Sequence, residues 1–223
     1  MYQNRVVLFV ALVVLFAVGA VTARADSFDV SLNTSALSGT TLTLAFGLTN
    51  NDGAVNNAVG LTGFDFGGGS AVTGTEDCTL GGTLSGVGCS GNLTSGIALN
   101  DSADEVFFTQ QFNVGSSLSF DLTTTNNFAS GSPDGFAMYL CDATMSNCYS
   151  DDTSTFAMLV LGLNGATLTA SSFTLNGASA QGLPAPVVTP VSTPEPPSVV
   201  LLGVAMLGFL VLQHVRQNRV SRI

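Results

Sequence analysis

Leu42, Leu44, Phe46 and Leu48 take every second position of the stretch TLTLAFGLT. A strand turns successive side chains to opposite faces, so this spacing lays one apolar stripe along one face. The same alternation runs through Phe28, Val30 and Leu32, then Phe64 and Phe66, then Val106, Phe108, Phe112 and Val114. It continues through Leu118, Phe120 and Leu122, through Phe136, Met138 and Leu140, through Phe156, Met158 and Val160, and through Phe173 and Leu175. Breaks such as Asn50-Asn51-Asp52-Gly53 and Pro133-Asp134-Gly135 separate these runs with turn-forming residues. No stretch between them carries the 3.6-residue period of an amphipathic helix. About eight or nine half-buried strands predict an all-β fold over residues 26–179, an antiparallel β-sandwich that is jelly-roll-like. No internal repeat is visible, which argues against a solenoid.

Charge removes several function classes. Charged residues make up only 9% of the chain, and between Asp26 and Gln213 there is no Lys, Arg or His. The five basic residues are Arg5, Arg24, Arg216, Arg219 and Arg222, all near the ends. A body without cations cannot neutralise phosphates, so nucleic acid is excluded as a partner. It cannot form internal salt bridges either, so each carboxylate must be solvated, hydrogen-bonded or metal-bound. The absence of His and Lys also removes Ser–His and Cys–His nucleophile pairs and a lysine base. A carboxylate pair drawn from Glu76, Asp77, Asp101, Asp104 and Glu105 is what remains for glycoside hydrolysis, and without a Trp to stack sugars the chain reads as no enzyme.

The ends carry addresses. Arg5, the apolar run Val6 to Val18 and the small-residue site Ala23-Arg24-Ala25 make a signal peptide over residues 1–25, cut by signal peptidase after Ala25. At the other end, six of the seven prolines lie between Pro184 and Pro197. Residues 180–193 therefore read as a proline-rich, extended linker. The apolar run from Val199 continues to Val215 as a single hydrophobic transmembrane helix, and Arg216, Arg219 and Arg222 follow on its cytoplasmic side.

Pro194-Glu195-Pro196, then this helix, then the arginines, at residues 194–223, resemble the PEP-CTERM sorting signal. The stretches LTGFDFGGGSA, SSLSFDLTTTN and SPDGFAMYLCD resemble the bodies of PEP-CTERM proteins of unknown activity. The resemblance implies an exosortase-type processing enzyme as partner, cleavage near Pro-Glu-Pro, and delivery to the cell surface or extracellular matrix of a Gram-negative bacterium that makes exopolysaccharide. Before processing, the helix tethers the chain to the inner membrane.

Cys78, Cys89, Cys141 and Cys148 are an even set in an exported chain and predict disulfides. Three connectivities exist. Local pairing, Cys78–Cys89 and Cys141–Cys148, is preferred because each pair brackets a polar or Gly-rich loop of hairpin size. A zinc site lacks both the spacing and the His. Loops around Asp101 and Asp104, and around Asp142, Asp151 and Asp152, offer hard oxygen ligands for a structural calcium, although neither matches an EF-hand. No other cofactor is implied. Tyr139 and Tyr149 mark the Cys141–Cys148 loop as a candidate sugar-binding edge. The expected role is structural or adhesive, in association with exopolysaccharide. The alternatives are a calcium-assisted carbohydrate-binding module and a self-assembling surface filament subunit whose strand edges are poorly guarded.

Overall fold

The computed structural model describes residues 25–81, 88–152, 154–166, 168, 170–174 and 184–191. The expected signal segment with Ala23, the processing motif Pro194-Glu195-Pro196, the apolar helix and the three terminal arginines lie outside the described residues.

The alternating stretches become strands: Ala25–Asn33 (β1), Thr41–Thr49 (β2), Ala58–Asp65 (β3), Ser70–Ala71 (β4), Asp77–Gly81 (β5), Cys89–Asn92 (β6) and Gly96–Asn100 (β7). Glu105–Asn113 (β8), Ser117–Thr125 (β9), Asp134–Asp142 (β10), Leu159–Leu163 (β11), Ala170–Ser172 (β12) and Val187–Val191 (β13) follow. The single helical element among the described residues is a 3-10 turn at Ser35–Leu37. All pairings are antiparallel. One sheet has the order β13-β1-β9-β3-β7-β6, and the other has β12-β11-β10-β2-β8-β4 with β5 also paired to β8.

The two sheets bury their apolar faces against each other, as a sandwich requires. Phe46 of β2 is fully buried; its ring meets Phe120 of the facing sheet edge-on at 5.8 Å and stacks with Phe136 at 6.2 Å. Phe64 of β3 lies 5.1 Å from Phe120 and 6.2 Å from Phe46, so one aromatic cluster ties both sheets. Each buried Phe contributes roughly 1.5–3 kcal/mol from area alone.

Most of the expected stripes face this core: Phe28, Val30 and Leu32, Leu42 through Leu48, Val106 through Val114, Leu118 through Leu122, and Phe136 through Leu140 are buried. Gln110 breaks the β8 stripe chemically but not geometrically. Its buried amide accepts from the Leu93 N–H at 2.7 Å and donates to the Val72 carbonyl at 3.1 Å, so a core-facing polar group is satisfied.

Four features differ from the sequence expectation. In β3, Val59 and Leu61 are core residues, and a register shift between Thr62 and Asp65 then re-phases the strand. Gly63, at φ 68°, provides the bend. Phe64 and Phe66 thereby turn inward although their parity is opposite to that of Val59 and Leu61. Around Phe156 the phase also moves by one. The residue sits in a left-handed turn at φ 58° and is 54% exposed, while Leu159, Leu161 and Leu163 carry the buried face of β11. Leu175, expected to continue a strand with Phe173, lies outside the described residues.

The third difference concerns the proline-rich stretch. Val187–Val191 does not stand free as spacer; it pairs with β1 from Val187↔Ser31 to Val191↔Ser27. Being an edge strand, β13 tolerates Pro190, whose missing N–H would break a central ladder. The fourth is the short strands β4 to β7, of which only β7 carries an alternating buried pair, Ile97 and Leu99.

Candidate functional site

Three crossovers between the sheets meet at one end of the sandwich: residues 50–57 between β2 and β3, 101–104 between β7 and β8, and 126–133 between β9 and β10. A loop that leaves one sheet for the other cannot use ladder hydrogen bonds, so its N–H groups need side-chain acceptors. Here the acceptors are carboxylates. Asp134, at the start of β10 and 1% exposed, accepts from the Asn51 and Asp52 N–H groups at 2.7 and 3.1 Å through Oδ1. Its Oδ2 accepts from Asn57 Nδ2 at 2.7 Å. Asp101, also 1% exposed, accepts through Oδ2 from the Asn56 and Asn57 N–H groups at 3.0 and 2.8 Å.

Asn57 links the three loops. Besides reaching both carboxylates, it accepts from the Asn127 N–H at 2.8 Å and donates to the Asn127 carbonyl at 2.9 Å. Asp52 Oδ2 accepts from the Ala129 N–H at 2.7 Å, and Asn127 Nδ2 donates to the Asn56 carbonyl at 2.7 Å. A fourth loop joins through Asn126, whose amide bonds the Gly165 N–H at 2.9 Å and the Ala166 carbonyl at 2.5 Å. No cationic side chain is available anywhere between Asp26 and Gln213. Burial pushes the Asp101 carboxyl above its ordinary value; the Asn56 and Asn57 N–H groups oppose this and the Asp134 charge adds to it. The Asp52 carboxyl is held below its ordinary value, first by the Ala129 N–H and then by the Ala54 N–H.

The expected calcium-type carboxylates do not converge. Asp104 is exposed, and its carbonyl accepts from the Asn50 N–H at 3.0 Å. Asp142 closes β10, eight residues beyond Asp134 and therefore about 26 Å along the strand. Its Oδ1 accepts from the Thr144 N–H at 3.0 Å, the Ser146 N–H at 2.9 Å and the Thr144 hydroxyl at 2.8 Å. The Asn147 amide donates to Oδ2 at 2.9 Å. These bonds, that from Asn147 foremost, bring the Asp142 carboxyl down to about 2. Asp152 likewise caps its own turn through Ser154 and Thr155, which bring it down to about 2. Asp151 accepts from the Thr174 hydroxyl. Among the described residues no three His, Cys, Asp or Glu side chains group to hold a metal.

The cysteines pair as Cys78–Cys89 and Cys141–Cys148, with Cα separations of 6.0 and 3.9 Å. The second closes a hairpin-sized loop. The first does something the sequence pattern did not suggest: β5 and β6 belong to different sheets, so this bond pins the sheets together at one edge. Paired cysteines fit folding in an oxidising compartment. Tyr139 lies on the outer face of β10 with its ring 5.6 Å from Phe107, above Gly47 of the central strand. Burial raises its phenol pKa, and the Glu105 and Asp152 charges add to this. Tyr149 instead packs against the core.

Comparison with protein-family models, with curated proteins and with solved structures finds no match for this chain.

The carboxylates that matter most at this end, Asp52 and Asp134, stood in plain view as turn residues. Asn50-Asn51-Asp52-Gly53 and Pro133-Asp134-Gly135 read as breaks. The available signal was the second Asn pair, Asn56-Asn57, only a few residues further on and matched by Asn126-Asn127. Paired amides in loops of a cation-free chain are the neutral donors its carboxylates require.

Proposed function

We propose that this chain is an exported β-sandwich with a structural or adhesive role at the cell surface or in an exopolysaccharide matrix. The observation that carries the proposal is two paired disulfides in a body without Lys, Arg or His. Such a body suits an oxidising exterior. Its low charge and polar loops suit contact with neutral, hydroxyl-rich polymers, where hydrogen bonding replaces charge pairing. The PEP-CTERM-type tail supplies the address, with exosortase-type cleavage near Pro194-Glu195-Pro196. The passage of successive strands from one sheet to the other supports the jelly-roll-like reading of the sandwich.

Intact-mass and terminal-peptide mass spectrometry of protein from its native envelope and medium tests this. The expected product starts at Asp26 and ends close to Pro194. A chain starting at Met1 and recovered from the cytoplasm refutes export. A chain starting at Asp26 and ending at Ile223 refutes processing and leaves a tethered surface protein.

A carbohydrate-binding module is the second reading, and the Phe107–Tyr139 ring pair on an outer sheet face favours it. Glycan-array binding that Tyr139→Ala abolishes supports this reading, and an array without signal for the wild type sinks it.

A further inference from the structure

Among the described residues, four buried side-chain polar atoms have no hydrogen-bond partner: Thr43 Oγ1, Asn56 Oδ1, Asp101 Oδ1 and Ser102 Oγ. Three of the four fall together. Asp101 is bonded to the Asn56 N–H through its other oxygen, and Ser102 is its chain neighbour, held in place by an N–H bond to Asn100 Oδ1 at 3.2 Å. The Asp101 side chain is 1% exposed, so bulk water does not reach the unmet oxygen.

A carboxylate oxygen and an amide oxygen are both acceptors only, so neither can satisfy the other. The orientation of the Asn56 amide is not arbitrary. Its nitrogen faces Asp52 Oδ2 at 3.5 Å, and turning the amide over would set its oxygen against that carboxylate. The Ser102 hydroxyl could donate but is bonded to neither, so the Asp101 and Asn56 oxygens lack a positive or protic partner. The surroundings favour a cation. Asp52, Asp101 and Asp134 hang on one hydrogen-bonded loop, 50–57, with no basic side chain in the body to offset them. A buried carboxylate with an unmet oxygen is costly, and here buried Asp101 shares its network with buried Asp134 and half-buried Asp52. The donors on offer are all oxygens, and they sit in loops, the setting that suits a hard divalent ion with flexible coordination.

We propose that this end of the sandwich binds one hard cation of the calcium class through Asp101 Oδ1, Asn56 Oδ1 and Ser102 Oγ, with water completing its shell. The ion joins the 50–57 crossover to the 101–104 crossover, and so ties the two sheets together at the end opposite Asp142. The site differs from the capped turns of Asp142 and Asp152, whose oxygens are already occupied by their own loops. It does not depend on the destination of the chain.

The test uses the full-length chain with both disulfides oxidised, freed of metal by chelator and titrated with calcium chloride by calorimetry and thermal unfolding. The expected result is one calcium per chain and a melting temperature raised by about 5–10 °C at a hundredfold excess over Kd. Asp101→Asn loses the binding at least tenfold, yet its metal-free form is no less stable than metal-free wild type, because its new amide donates to Asn56 Oδ1. Asn56→Asp adds a charged ligand and tightens binding by about tenfold. Wild type that neither binds calcium nor gains stability overturns the proposal, leaving water or a proton in the site. Binding that survives Asp101→Asn overturns it as well, since the ion must then lie elsewhere. Should Asp101→Asn fail to fold, unchanged affinity in Asn56→Asp is the refuting result.

Discussion

Replacing Asp134 with Ala removes the acceptor of three hydrogen bonds, from the Asn51 N–H, the Asp52 N–H and Asn57 Nδ2. Bonds to a charged acceptor are worth roughly 1.5–3 kcal/mol each, an upper limit of about 5–9 kcal/mol for three. Two effects reduce that. Asn51 is exposed and Asp52 half-buried, so water replaces part of the loss, and Asn57 Nδ2 keeps its bond to the Asn127 carbonyl. Removing a buried charge also refunds its desolvation. The expected net cost is about 3 kcal/mol, a large share of the 5–15 kcal/mol typical of a domain. Asp134→Asn keeps one oxygen for the two backbone donors but presents an amide donor to Asn57, and should cost about half as much. Urea unfolding of the oxidised full-length chain, followed by circular dichroism, reads the effect as a midpoint lowered by about 1–2 M with an unchanged slope. If Asp134→Ala unfolds within 1 kcal/mol of wild type, roughly the size of a surface change, the carboxylate network does not hold the crossovers and the reasoning fails.

Phe46→Ala should cost about 3–5 kcal/mol in the same assay, because the cavity opens between Phe64, Phe120 and Phe136. Reduction of Cys78–Cys89 and Cys141–Cys148, which close loops with separations of 11 and 7, should lower stability by roughly 2–3 kcal/mol each, and the Cm difference with and without reductant measures it. Asp29 and Asp121 face each other across β1 and β9, so Asp29→Asn should be neutral or stabilise by a few tenths of a kcal/mol; a clear loss would contradict the register. For the carboxyls, carbon-detected titration should place Asp142 and Asp152 near 2 and Asp101 above 3.8. The lowered pair stabilises above the unfolded pKa of about 4, a contribution lost as pH falls towards 2; raised Asp101 acts in the opposite sense, favouring the fold where it is protonated.

Period-two spacing in the sequence was enough to assign the long strands and most of their buried faces, because alternation is a local property of an extended chain. Where the backbone departs from plain extension, parity fails: the bulge at Gly63 and the left-handed turn at Phe156 each shift the inward face by one residue. The pairing of the cysteines was also legible from spacing, but not that Cys78–Cys89 spans two sheets. That depends on β5 and β6 finding different partners far along the chain. The candidate site was the least legible part. Asp101 alone of its carboxylates was singled out as a ligand, and it was grouped with Asp104, which is exposed, rather than with Asp134 and Asn56.

By itself the sequence determined an all-β body, a local pairing of its four cysteines and a stretch from Asp26 to Gln213 without cations, since each of these follows from residue type and near-neighbour spacing. Only the tertiary structure decided which acids share an environment. Loops 50–57, 101–104 and 126–133 are brought to one end by strand pairing, and there Asp101 Oδ1 is buried without a hydrogen-bond partner among the described residues. Proximity between residues dozens of positions apart is set by the closing of the sandwich, and no local pattern encodes it.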